Sequence, residues 1–507
     1  MRKTIYLVYT TDTHGRLSSH DFLNHTEGPF GLSRLATFLK TLKHPYLLLD
    51  NGDFLQGSPL LDYARKSHHE PVSSLFNALG YHYVVVGNHD FNFGLDLLQQ
   101  FRQDFKGKIL CANIMKGDYP LYEPYVIHNI DGIKIALIGL TTEFIPVWEK
   151  PGHIEGLNFL NAKATLDDLI LDHNLKSKSD LVVVMYHGGY EANLNTGLDY
   201  PNKTIENRGY ALFQSDIDVL LTGHQHVPQT YKQGLKTTIQ TAHNAVQVGL
   251  VTLTFEDHQL IENDVTLIPL KDYPPDSQIE AQLGNLVDQT NHYLNQPVGF
   301  VITKLTIQDP LACRVRKHPL FRFINTVQQD LTGAQISIAS LPNETHGFKP
   351  LVTLRDVATT FPYENDMVLL EITGKTLRAM VQQNGDYFRL KDNQIIVNPR
   401  FIHPKVEHYN YDVYDGIDYE YTVDENHTCL TQLFYHSKPV LDDDTFTLVL
   451  NSYRATGAGG FPMVKDAKVL KRYPITYFDL ISNYLEKHPN LIIDELPNFN
   501  VKKVTAK

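Results

Sequence analysis

The stretch LLTGHQHV, residues 220–227, decides how the first half of this chain is read. An apolar run, IDVLLT, stops at Gly223, and His224 and His226 follow with one glutamine between them. A short run of β-branched and leucine residues ended by glycine reads as a buried strand. Two imidazoles on the loop beyond it form a metal-ligand pattern, although one such pair among 24 histidines proves little. The pattern gains weight because other strand-like runs end the same way. IYLVYT (5–10) leads into Thr11-Asp12-Thr13-His14, and YLLLD (46–50) into Asn51-Gly52-Asp53. YHYVVV (81–86) leads into Gly87-Asn88-His89-Asp90, and LVVVMY (181–186) into His187-Gly188-Gly189. Each motif alone reads as a turn or a helix cap. Five strand ends delivering ligand-type side chains at equivalent positions do not, and in an open α/β sheet that edge is where active sites form.

The intervening sequence supports the same architecture. KILCAN (108–113) and IKIALIGL (133–140) are further strand candidates, and GLSRLATFLKTLK (31–43) repeats leucine at helical spacing through Leu32, Leu35, Leu39 and Leu42. Strands alternating with helices predict an α/β domain of βαβ units, its sheet covered on both faces by layers of structure. The pattern changes at PPDSQIEAQLGNLVDQTNHYLNQPVG (274–299), where Asp276 or Ser277 caps a helix with an Ile279/Leu283/Leu286 stripe. The expected division is a catalytic domain over 1–273, a helical linker over 274–299 and an α+β domain over 300–507.

Composition bounds the function. The chain has 507 residues and a net charge of −12, which argues against a nucleic-acid polymer as partner while allowing a small anionic substrate at a cationic site. No run approaches the ~18 apolar residues of a membrane span, so no membrane partner is expected. Three scattered cysteines make no disulfide framework. MRKTIYLVYTTD lacks the apolar core of a signal peptide and reads as a first strand, so a cytoplasmic monomer is the default expectation unless a leader was removed.

The donors Asp12, His14, Asp53, Asn88, His187, His224 and His226 number seven. That exceeds what one ion needs with room for substrate and suits two, with a carboxylate such as Asp53 bridging. Mixed nitrogen and oxygen donors favour Mn, Zn, Fe or Co over Ca or Mg. Two such ions about 3.5–4 Å apart generate hydroxide at neutral pH and hold phosphoryl oxygens.

At these residues the chain resembles the calcineurin-like metallophosphoesterases, whose signature runs D-x-H, G-D, G-N-H-[DE], H and G-H-x-H in that order, and the resemblance implies layered sheets with flanking helices for the first domain. The resemblance implies that Asp12, His14, Asp53 and His226 hold one ion, and that Asp53, Asn88, His187 and His224 hold the other. It implies that His89 stabilises the transition state or protonates the leaving oxygen, with Asp90 orienting and polarising His89. DNGDFLQGSPLLDY (50–63), VGNHDFNFGLD (86–96), YNYDVYDGIDYE (409–420) and LNSYRATGAGGFP (450–462) are similar to the two-domain 5′-nucleotidases. Within them the chain looks most like the 2′,3′-cyclic-nucleotide 2′-phosphodiesterase/3′-nucleotidase branch.

That likeness implies a second domain of 5′-nucleotidase type holding the base between two aromatic rings. One is Tyr453, and the other is Tyr409 or Tyr411, read as sharing a strand face. Gly457 and Gly459 let backbone approach the ligand, and Asn365 matches a substrate-contacting asparagine. Two features depart from the 5′-specific pattern: SLPNETHGFKP (340–350) carries no arginine, and Gly459 stands where that branch has aspartate. The implied reaction is in-line attack of hydroxide on nucleoside 2′,3′-cyclic phosphates and 3′-nucleotides. Hydrolysis of 5′-monophosphates or UDP-sugars is the alternative, followed by a general phosphatase or a non-catalytic nucleotide-binding protein.

Overall fold

The computed structural model describes residues 2–200, 204–362, 365–403, 405–488, 490–494 and 497–504. The chain divides into two compact units, Met1–Asn291 and His292–Lys507.

The first unit is built on two six-stranded sheets, the layered sheets that the family resemblance implies. Its strands are β1 (Arg2–Thr10), β2 (Tyr46–Asp50), β3 (Tyr83–Val84), β4 (Lys108–Ile109), β5 (Tyr125–Ile130) and β6 (Ile133–Thr141). They continue with β7 (Leu181–His187), β8 (Val219–Thr222), β9 (Gln229–Gln233), β10 (Lys236–Gln240), β11 (Gln247–Glu256) and β12 (Gln259–Pro269). One sheet runs β12-β11-β1-β2-β3-β4 and the other β9-β10-β8-β7-β6-β5. The centre of each is parallel: β1 to β4 in the first, and β6, β7, β8 and β10 in the second. Ile5, Leu7 and Tyr9 of β1 share one core with Leu181, Val183 and Met185 of β7, so the sheets face each other. The alternate residues Val182, Val184 and Tyr186 point the other way, into a core completed by helix residues Leu166, Ile170 and Leu212. A strand buried on both faces has no polar side, which is why LVVVMY is uniformly apolar and why its sequence does not tell a second sheet from a helix layer.

YHYVVV and KILCAN contribute strands of only two residues each, Tyr83–Val84 and Lys108–Ile109. Val85 and Val86 are fully buried but lie past the ladder, where the chain turns beneath Asp53. The helix Ser277–Leu294 is present, with Asp276 Oδ1 accepting the N–H groups of Gln278 and Ile279 at 3.0 and 3.2 Å. It is anchored to the first unit through Glu280, which accepts from Ser19 N and Ser18 Oγ at 2.8 Å each. Among the described residues no helix is long and apolar enough to cross a membrane.

The second unit is α+β. Strands β13 (Ile336–Ser340), β14 (Met367–Thr373), β15 (Asp412–Asp415), β16 (Thr445–Asn451) and β17 (Lys468–Tyr473) form a mixed sheet in the order β15-β13-β16-β14-β17. The helices Pro319–Thr332, Gly374–Gly385 and Tyr477–Lys487 contribute Phe321, Leu377 and Ile481 to a continuous core with it.

Candidate active site

The loops leaving β1 and β2 are knitted to each other: Asp12 N donates to Gly52 O and His14 N to Asp53 O, both at 2.9 Å. β7 ends on His187 itself, and β8 ends one residue before Gly223. Two groups of ligand atoms result among the described residues. Asp12, His14 and His226 form one, and Asp53, His187 and His224 the other, the atoms of each group lying within 4.8 Å of one another. In the first, His14 Nε2 is 3.2 Å from His226 Nε2, which is 3.3 Å from Asp12 Oδ1. In the second, His187 Nε2 lies 3.3 Å from Asp53 Oδ2 and 3.1 Å from Asn88 Oδ1, and His224 Nδ1 lies 2.9 Å from that same Asn88 oxygen.

The backbone is held under strain for this purpose. Asp12, His14, Asp53, His224 and His226 all have left-handed φ, between 46° and 71°, a conformation that costs a non-glycine residue roughly 1–2 kcal/mol. Such strain persists where surrounding contacts dictate it and gathers at functional sites. Gly87 shows how tight the arrangement is: a Cβ there would stand 2.2 Å from Asp53 Oδ1.

The electrostatics match a cation-binding site. Burial opposes ionisation of Asp12, but His226, His187 and His14 outweigh it and hold the carboxyl well below its ordinary range. Asp53 is held low against its burial by His187 and His89. His14 is pushed down to about 3 by burial and the neighbouring His226, so it stays neutral, the ligating form. His187 is raised to about 10, its burial overcome by Asp53. Buried carboxylates and imidazoles converging without a lysine or arginine among them fit a pair of divalent transition-metal ions.

Asp90 does not contact the His89 ring. Its buried carboxylate accepts backbone N–H groups from Gly87 at 2.8 Å and from Asp53, Phe54 and Leu55 at 2.9 Å. It therefore clamps the Asp53 loop onto the Gly87 turn, which corrects the orienting role toward His89. Burial and the nearby Asp53 raise its carboxyl to about 6 against those hydrogen bonds. His89 N donates to Asp53 Oδ1 at 2.7 Å, and His89 Nδ1 meets Asn92 Oδ1 at 2.8 Å. The i to i+3 spacing of GNHDFN along the 3₁₀ turn His89–Phe91 was the available signal. Around the rim, Glu206 Oε1 lies 2.8 Å from His224 Nε2, the Trp148 ring is 5.3 Å from His224, and His243 stacks on His226 at 4.3 Å. Nothing local in the sequence ties these three to their partners.

In the second unit Tyr409 and Tyr453 come together, edge to face, with centroids 6.4 Å apart. Tyr411 does not join them. It is fully buried against Tyr387 and Phe388, because residues 408–410 form a 3₁₀ turn and not a strand, so 409 and 411 share no face. The Tyr411 assignment is thereby overturned. Asn365 stands next to Asp366, whose carbonyl accepts from Ser452 N at 2.8 Å beside Tyr453. Gly457 and Gly459 both have left-handed φ, and a Cβ on Gly459 would lie 2.1 Å from Asn410 Oδ1 and 2.2 Å from Arg454 Nη1. An aspartate there has no room. Arg454, itself buried, binds Asp412 Oδ2 at 2.8 Å and Ala458 O at 2.7 Å, tying the tyrosine segments together.

Residues 5–228 match the family profile described as calcineurin-like phosphoesterase, and residues 297–466 match that of the 5′-nucleotidase C-terminal domain. A 2′,3′-cyclic-nucleotide 2′-phosphodiesterase/3′-nucleotidase of Haemophilus influenzae is 24% identical, over 95% of this chain and 84% of its own. A 5′-nucleotidase of Vibrio parahaemolyticus is also 24% identical, over 96% and 90%. The crystal structure of a Staphylococcus aureus protein provisionally assigned as a 5′-nucleotidase, in complex with alpha-ketoglutarate, superposes with a TM-score of 0.91. It is 29% identical, and the match covers 99% of this chain and 100% of that one.

Proposed function

Because the chain belongs to the calcineurin-like phosphoesterases that carry a 5′-nucleotidase C-terminal domain, and so to the nucleotide-acting hydrolases, we propose that it cleaves nucleoside 2′,3′-cyclic phosphates and 3′-nucleotides. The observation that carries the chemistry is the pair of Asp/His clusters at the strand ends, Asp12, His14 and His226 in one and Asp53, His187 and His224 with Asn88 in the other, with His89 alongside Asp53. Asp12, His14, Asp53 and His226 would hold one divalent ion, and Asp53, Asn88, His187 and His224 would hold the other. Such a pair supplies hydroxide at neutral pH and neutralises charge on the phosphoryl oxygens. The chain's own groups do the rest. Asp53 Oδ1, accepting from His89 N, fixes the histidine backbone beside the Asp53 carboxylate. With Nδ1 taken by Asn92, Nε2 is the nitrogen left to give its proton to the departing ribose oxygen as the P–O bond breaks. Tyr453 and Tyr409 hold the base, and stacking on such rings contributes about 1–3 kcal/mol per base.

The arginine-free 340–350 loop and the crowded Gly459 support the cyclic and 3′ preference. The Staphylococcus aureus relative supports 5′-nucleotidase activity as the second reading. Adenosine 2′,3′-cyclic phosphate, 3′-AMP and 5′-AMP assayed side by side with Mn²⁺ separate the two. The first two substrates should turn over faster, and preferential release of phosphate from 5′-AMP would transfer the proposal to the second reading.

A further inference from the structure

His89 reaches beyond Asn92. Asn92 Nδ2 donates to Glu149 Oε2 at 2.7 Å, and the Glu149 side chain is only 6% exposed. The other oxygen of that carboxylate, Oε1, accepts from Lys150 N at 2.8 Å and faces His153 Nδ1 at 2.8 Å. A carboxylate only accepts hydrogen bonds, so the asparagine amine must face Glu149 and the asparagine oxygen must face His89. That oxygen in turn requires a hydrogen on His89 Nδ1. The identity of residue 149 thus fixes which ring nitrogen of His89 is free to exchange a proton, although Glu149 lies outside the 87–90 motif and never touches the ring.

We propose that Glu149, acting through Asn92, is the positioning residue that sets the tautomer of His89. The inference rests on the reading of His89 as proton donor to the leaving oxygen. If Asn92 were reversed, its amine would donate to Nδ1, and the neutral ring would hold its only hydrogen on Nε2. Nε2 then forms a hydrogen bond to the leaving oxygen without being the site of a strongly acidic proton. With the observed orientation Nε2 donates only from the imidazolium, which transfers the proton completely: N–H breaks, O–H forms, and the ring is left neutral.

The E149Q variant tests this with minimal change of shape. Lys150 N–H keeps the amide oxygen of the new side chain, so its amine turns toward Asn92 and reverses it. Combining N92D with E149Q restores an acceptor toward His89 without two facing carboxylates. Turnover is measured on 3′-AMP and 5′-AMP, whose leaving alcohols need a proton, and on p-nitrophenyl phosphate, whose leaving group does not. H89A serves as the reference, and thermal melts confirm folding. Removing general-acid assistance costs 10²–10⁴-fold, so E149Q should lower kcat on the nucleotides by about tenfold or more. KM and the p-nitrophenyl rate should stay within about twofold, and the double variant should recover most of the nucleotide rate. Equal loss on both ester types, or no loss in E149Q where H89A loses nucleotide turnover selectively, would overturn the role of Glu149 alone. An H89A variant that does not distinguish the esters would overturn the donor role of His89, and the inference with it.

Discussion

Replacing Gly459 by alanine measures how the nucleotide-contacting segment of the second unit is held. The backbone there has φ +68°, so any side chain brings left-handed strain of about 1–2 kcal/mol. The added Cβ would also stand 2.2 Å from Arg454 Nη1 and 2.1 Å from Asn410 Oδ1, and relieving both contacts needs a shift of about 1 Å. Arg454 has little freedom to give, since it is 1% exposed and paired with Asp412 at 2.8 Å. Breaking a buried pair outright costs about 3–5 kcal/mol, and misaligning it costs roughly half of that. The expected loss for G459A is therefore about 3–4 kcal/mol, strain and misalignment together. G460A is the internal control. Its φ is +87°, but its Cβ would meet nothing closer than Gln383 Nε2 at 3.5 Å, so only the strain of about 1–2 kcal/mol applies. Denaturant unfolding followed by a probe in the second unit reads both variants, and nucleotide KM should rise in G459A more than in G460A. Equal destabilisation of the two would refute the steric reasoning.

Further outcomes follow from the same geometry. Y453A and Y409A should each raise nucleotide KM by a factor corresponding to about 1–3 kcal/mol while leaving p-nitrophenyl phosphate turnover unchanged, as read by steady-state kinetics. Y411F should keep or raise the melting temperature with KM unchanged, because the Tyr411 hydroxyl is buried without a hydrogen-bond partner. Acidification should weaken the second unit through His408, which burial and nearby Arg314 pull down to about 4. The unfolded chain takes up that proton near pH 6.5, so between pH 6.5 and about 4 it binds more protons than the folded one, and stability rises with pH across that window. Melting curves of wild type and H408Q over this range should differ by that slope.

The strand-end places of these Asp, Asn and His residues were legible because each sits at or just past the end of a strand, most in turn-forming sequence, where such residues tolerate the left-handed backbone that Asp12, Asp53 and His224 adopt. The layered sheets were legible through the family resemblance and not through the strand pattern alone: β7 is apolar on both faces, and that pattern is the same whether a sheet or a helix lies opposite. Asp90 lies away from the His89 ring because adjacency along the chain does not place two side chains together on a 3₁₀ turn, whereas the i+3 residue Asn92 does meet His89. The burial of Tyr411 is not legible, because strand alternation does not hold across residues that form a turn. Glu149, Glu206 and His243 reach the site from loops far along the sequence, and only the folded chain brings them there.

The central claim is that side chains from five strand ends hold two ions at once. Anomalous diffraction from crystals grown with Mn²⁺ tests it most directly. Two peaks about 3.5–4 Å apart are expected, one ringed by Asp12, His14 and His226, the other by Asn88, His187 and His224, with Asp53 between them. A single peak, or manganese bound away from these residues, would contradict the account.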